Sequence, residues 1–148
     1  PVAMSADLIW MLTKRHNAFL ISKRDNCNKR SGLVLTSEPC NITSVHSFKY
    51  SGLANETAFG IDAVRETADA ADANEDPSSK PVSVCFTRKA KSQVKPCKGV
   101  SKQSWKKGAR ALAKSAQAQV GKARPDLAKA AMAKATHIAK AIRVAKRG

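Results

Sequence analysis

The chain has 148 residues, a net charge of +16 and a pI near 10.2, a length for one ordinary domain or a small domain with an extension. No run approaches the length of a membrane span, and the basic segments carry Ala where an interfacial helix would carry Trp, Phe and Leu, so the charge does not point to a lipid partner. It is also unevenly divided: residues 1–76 hold 8 basic and 10 acidic side chains, whereas residues 77–148 hold 19 basic and 1 acidic, the pattern of a nucleic-acid binder with a basic arm.

In chain order, the segment from Ser5 to Leu12 reads as a short helix. Ser5 can cap it, Asp7 favours its positive end, and Leu8, Met11 and Leu12 share one face. Strand signals follow at Ala18 to Ile21 and at Leu33 to Thr36, the latter broken by Pro39. The alternation from Val45 to Tyr50 predicts a half-buried strand with Phe48 and Tyr50 on one face and Lys49 on the other. Ser51-Gly52 is a turn, and Ala58 to Ile61 is a fourth candidate strand. Six of the 11 acids lie between Asp62 and Asp76, and residues 62–79 read as a mobile acidic surface loop. Pro81 to Thr87 alternates again and reads as a fifth strand. Residues 88–100 lack apolar periodicity and read as a basic linker ordered by its partner.

The stretch from Ser101 to Gly148 is rich in Ala and Lys, and Asp126 is its only carboxylate. Interrupted at Gly121 and Arg124-Pro125, it predicts two cationic helices joined by a short corner. At 100° per residue, Trp105, Ala109, Leu112, Ala113, Ala116 and Val120 form one stripe of the first helix, opposite Lys107, Arg110 and Lys114. Ser101 or Ser104 can cap its start and Gly121 can close it. On the second helix Leu127, Ala131, Ala135, Ile138, Ile142 and Ala145 form a stripe opposite Lys129, Lys140, Arg143 and Arg147, and Pro125 suits its first turn. Ordinary soluble helices intersperse Glu with Lys, which avoids self-repulsion. Helices without that relief point to phosphate neutralisation.

The expected fold class is α+β. It comprises a small N-terminal domain over residues 1–87, with one short helix and about five short antiparallel strands, a basic linker over 88–100, and a helical extension over 101–148. The expected RNA contacts are Arg88, Lys89, Lys91, Lys95 and Lys98 in the linker, then Lys106, Lys107, Arg110 and Lys114 on the first helix. Lys122 and Arg124 at the corner, Lys129, Lys140, Arg143, Lys146 and Arg147 on the second helix, and Lys49 and Tyr50 on a strand complete the set. Lysine dominates, which favours backbone and shape recognition over base reading. Phe48 and Tyr50 could stack on bases, whereas Trp105 reads as core.

Nothing points to catalysis. His16, His46 and His137 are scattered, and there is no Walker loop, dinucleotide fingerprint or defensible Ser/His/Asp order. Cys27, Cys40, Cys85 and Cys97 lack zinc-knuckle spacing and read as free thiols of a reducing compartment. Neither a cofactor, a metal nor a small-molecule substrate is expected. Two glycosylation-type triplets begin at Asn41 and Asn55, and without a secretory signal at the start of the chain they read as chance.

Met4-Ser5-Ala6-x-Leu8-x-Trp10-Met11 resembles the start of the eukaryote-specific large-subunit ribosomal protein family "L twenty-eight, eukaryotic type". Further blocks follow in the family's order: Asn17-x-Phe19-Leu20-Ile21, Glu38-Pro39-x-Asn41, His46-Ser47-Phe48-Lys49-Tyr50-Ser51-Gly52-Leu53, and Arg124-Pro125-Asp126-Leu127-x-x-Ala130-Ala131. Residues 26–32 and 68–79 depart from the family pattern in length, and the C-terminal helices hold Lys where Arg is more usual. The resemblance implies a structural component of the cytoplasmic large subunit, assembled in the nucleolus and bound to rRNA and neighbouring ribosomal proteins. It also implies no enzymatic activity and no cofactor, and a small α+β domain with C-terminal helices. Two rivals remain at this point. A nucleolar ribosome-assembly factor with a related N-terminal domain would continue into long charged tails, whereas this sequence stops at Gly148. A linker-histone-like chromatin protein would share the Ala/Lys tail and would open with a winged helix.

Overall fold

The computed structural model describes residues 4–21, 34–65, 81–89 and 99–147. Helix α1 spans Ala6–Thr13, and the Ser5 hydroxyl accepts from the Leu8 N–H at 3.3 Å, the expected cap. Strand β1 (Leu20–Ile21) pairs antiparallel with β2 (Leu35–Thr36), in a register that sets Leu20 against Thr36. Three longer strands follow: β3 (Phe59–Arg65), β4 (Pro81–Lys89) and β5 (Val100–Trp105). They form a second antiparallel sheet in the order β3-β4-β5. Helix α2 (Ala109–Gly121), a single 3-10 turn (Pro125–Leu127) and helix α3 (Ala128–Ala145) end the described chain. The α+β class is as the sequence predicts.

The residues form two compact units that are not serial in sequence. One draws on 1–60 and 88–101, the other on 61–87 and 102–148. In the first, Ile42, Ala54, Ala58 and Phe59 are buried beside a polar group of Thr36, Glu38, Asn41 and Ser51. Asn41 is the hub of that loop. Its Nδ2 donates to Glu38 Oε1 at 2.8 Å and to the Val45 carbonyl at 3.0 Å, while its Oδ1 accepts from the Ser44 N–H at 2.9 Å and the Thr43 N–H at 3.1 Å. Glu38 Oε2 accepts from the Ser51 hydroxyl at 3.2 Å. A Cβ on the neighbouring Gly52 would collide with the Pro39 carbonyl oxygen. Two of the resembling blocks, Glu38-Pro39-x-Asn41 and the one ending Ser51-Gly52-Leu53, are thus held against each other.

In the second unit the core is Ile61, Val84, Phe86 and Trp105 from the strands, and Leu112, Ala113, Ala116, Val120, Leu127, Ala131, Ala135 and Ile138 from the helices. Phe86 and Trp105 stack with ring centroids 4.8 Å apart and planes at 8°.

Four local expectations are corrected. The Val45 to Tyr50 strand does not form. Val45 makes one bridge to Leu35, and the chain then turns, with the Tyr50 and Ser51 N–H groups both donating to the Ser47 carbonyl. Asn55 closes this turn by donating from Nδ2 to the carbonyls of Phe48 and Ser51, a local polar alternative to a ladder. The stretch from Ser101 to Trp105 is a strand, so Ser101 and Ser104 cap nothing and Trp105 lies outside the helical stripe. Its partner is β4: the Ser101 hydroxyl donates to the Arg88 carbonyl and Ser83 bonds Ser104, both at 3.3 Å. Asp62 to Arg65, expected to open the acidic loop, prolong β3. Arg88 and Lys89, expected in a linker, end β4. The remainder of that loop and linker, residues 66–80 and 90–98, lies outside the described residues, with Cys27 and Cys97. Neither Cys40, which is buried, nor Cys85, which is half-buried, is in a disulfide.

Candidate nucleic-acid interface

The α2–α3 hairpin is built on a seam of small residues. Ala116, Ala131 and Ala135 are fully buried, so the two backbones can approach closely, and Leu112, Val120, Leu127 and Ile138 fill the remainder. This seam is the stripe that the angular pattern predicts, apart from Trp105, the exposed Ala109, and Ile142 and Ala145, which are only half-buried. The polar side then follows from helical geometry. Arg110 and Lys114 on α2, and Lys129, Lys140 and Arg143 on α3, are exposed opposite the seam. Lys106 and Lys107 precede α2, Lys122 follows it, and Lys146 and Arg147 end α3, all exposed.

The only carboxylate of residues 77–148 is taken up at the corner. Asp126 forms a two-point pair with Arg124, Nε to Oδ1 at 3.0 Å and the guanidinium NH2 to Oδ2 at 2.8 Å. Neither helix has an acidic residue in its first turn, and the N-cap of α2 is Gly108, whose missing side chain leaves the first N–H groups uncapped. The positive end of the α2 dipole therefore adds to the cationic surface. Lys107 is placed by local contacts, its Nζ 5.6 Å from the Trp105 ring centroid and 3.4 Å from the Ser115 hydroxyl.

The other expected contacts are in the first unit. Lys49 is exposed, with Nζ 5.6 Å from the Tyr50 ring, and Arg88 is exposed 5.9 Å from the Phe59 ring. Lys89 faces inward. Its ammonium donates to the carbonyls of Gly52 and Leu53 at 3.0 Å and of Asn55 at 2.8 Å, which uses all three of its donors. Burial lowers its pKa from the ordinary value of 10.5, against the raising effect of Cys40, Glu38 and Glu56. It is a staple of the loop, with its ammonium committed to protein carbonyls. Lys91, Lys95 and Lys98 lie outside the described residues. Three described basic residues beyond the expected set share the unit of the hairpin: Arg65, half-buried on β3, Lys102, exposed on β5, and Lys134, half-buried on α3. The sign of their charge was legible, but their exposure depended on where strand and helix begin.

The described residues form an α+β protein whose cations are concentrated on an acid-poor helical hairpin. The chain belongs to the Ribosomal L28e protein family, which it matches over residues 8–141. It is 44% identical over 61 residues to the large ribosomal subunit protein eL28 of Dictyostelium discoideum, a stretch covering 41% of this chain and 41% of that protein. Against the protein of the same name from Schizosaccharomyces pombe it is 31% identical over 62 residues, covering 42% and 43%. The matched stretch thus spans about two-fifths of each relative.

Proposed function

We propose that this chain is a structural component of the large ribosomal subunit and binds rRNA chiefly through phosphate contacts of the α2–α3 hairpin. The observation that carries the proposal is the exposure of Arg110, Lys114, Lys129, Lys140 and Arg143 opposite an apolar seam, while Asp126 is committed to Arg124. Family membership supports the ribosomal setting. A solvated lysine face alone would favour intervening acids, which relieve self-repulsion. With about 8 phosphates engaged, affinity for duplex RNA falls with a log–log salt slope near −7, and less steeply for single strands. Assembly in the nucleolus followed by residence on cytoplasmic ribosomes belongs to the same proposal.

The test is sedimentation of tagged full-length chain through a sucrose gradient at moderately high salt. Stoichiometric migration with mature large subunits and polysomes is expected. Confinement to nuclear pre-ribosomes would assign an assembly factor, and migration with chromatin would sink the ribosomal reading. Charge reversal at Arg110, Lys114 and Lys140 together is expected to remove most of the association, whereas reversal at Lys14 and Arg15 leaves it nearly intact. Equal losses would mean that the hairpin is not the main contact.

A further inference from the structure

The second unit contains a groove of about 650 Å3 that differs from the rest of the cationic surface. Its rim carries Lys106 and Lys107 from the segment before α2, and Arg143, Lys146 and Arg147 from the end of α3. Its floor is apolar: Val84 on β4, Trp105 on β5, Leu112 on α2 and Ile142 on α3. Among the described residues no carboxylate lines it. Gly108 also borders it, so the uncapped start of α2 opens beside the rim and adds its partial positive charge. Five cations around an apolar floor differ from Arg110, Lys114, Lys129 and Lys140, none of which lines the groove.

A phosphate alone needs no such floor, because exposed lysines and arginines satisfy it. Nor can a duplex fill the recess, since its bases stay stacked and paired inside the helix. The chemistry that fits both parts is an apolar-faced ring attached to a phosphate. The volume is within the range of about 300–1,000 Å3 for small-ligand sites. We infer that this groove holds one unstacked nucleotide of a single-stranded RNA segment, with its base against the Val84–Trp105–Ile142 floor and its flanking phosphates on Lys106, Lys107, Arg143, Lys146 and Arg147. The inference rests on the RNA-binding function proposed above and narrows it to a strand that leaves its stack at this point. Trp105 is only 5% exposed and stacked on Phe86, so it supports the floor and does not act as an open stacking platform. The expected preference is therefore for a base over no base, without strong selection among bases.

The experiment measures binding of the full chain to a single-stranded RNA pentamer and to an abasic ribose-phosphate pentamer of equal length and charge. The intact strand is expected to bind roughly tenfold more tightly, in the range of single-base contacts. Ala109→Phe and Ala139→Phe each place a bulky ring at a lining position without changing charge, and helicity is followed by circular dichroism. Both are expected to abolish the preference while leaving affinity for the abasic strand and for duplex RNA within about twofold. Equal binding of the two strands by the unaltered protein would overturn the inference, as would a preference surviving in both filled variants. Equally tight binding of free adenosine 5′-monophosphate would overturn it too, making the groove a site for free nucleotides. None of these results bears on the hairpin reading, which falls separately if reversal at Arg110, Lys114 and Lys140 leaves duplex binding unchanged, because none of those three lines the groove.

Discussion

The loop of residues 37–58 and the α2–α3 hairpin solve the same problem in opposite ways. The loop has little regular structure and few large apolar side chains, so it is held by polar groups turned inward. Asn41 organises the turn, Glu38 ties it to Ser51, and Lys89 donates to three carbonyls. In the hairpin the backbone groups between the helix ends are satisfied within the helices, and a seam of Ala, Leu, Val and Ile holds the pair. Its polar side chains are left facing outward. A lysine in one region is therefore a structural staple, and a lysine in the other is available to a partner. Charge alone does not distinguish them; the number of protein acceptors around each ammonium does.

This contrast predicts that stability and RNA affinity separate by region. The largest effect is expected from Gly52→Ala, which forces the loop away from the Pro39 carbonyl and lowers unfolding free energy by about 3–4 kcal/mol. Chemical denaturation measures it, and a loss below about 1 kcal/mol would show that the loop yields easily. Affinity per folded molecule should not change.

A smaller effect is expected from Lys89→Met, about 1–2 kcal/mol once solvent screening of a half-exposed ammonium is allowed for. Its pH dependence is the sharper signature. Because burial lowers the folded pKa below 10.5, the native chain releases this proton before the unfolded chain does. The penalty for burying the charge is fully present below the folded pKa and is relieved as pH rises towards 10.5, so this group adds a rise in stability across that window. Stability measured against alkaline pH should lose that component in the Met variant; an unchanged profile would remove Lys89 from the account.

The smallest effect on stability, within about 0.5 kcal/mol, is expected from Lys114→Ala. The same substitution should reduce the salt slope of RNA binding by about 1, uniformly across sequences. An unfolding penalty of the Lys89 size at Lys114, or a binding defect without a change in slope, would erase the distinction between the two regions.

Much of this was legible from residue order alone. The seam from Leu112 to Ile138 followed from a 3.6-residue period, because a helix places its side chains by local geometry whatever lies beside it. The division of charge was arithmetic, and the α1 cap needed only Ser5 two residues before Asp7. The Arg124–Asp126 fork and the 3-10 turn at Pro125 lie where the corner was expected.

What the sequence could not determine were the choices that depend on a distant partner. Residues 101–105 hold as many helix-compatible as strand-compatible side chains. They became β5 because β4 supplied a ladder and Phe86 supplied a ring for Trp105. Residues 45–50 alternate as a strand would, yet they turn, because Asn41 and Asn55 bond the backbone locally. Lys89 looked like one cation among many until the fold brought three carbonyls to its ammonium. Helical periodicity and net charge are properties of neighbours in sequence, and the sequence determined them. Strand pairing, the inward lysine and the cation-rimmed groove bring together residues far apart in sequence, such as Ser83 with Ser104 and Asn55 with Lys89, where only the tertiary structure decides what meets what.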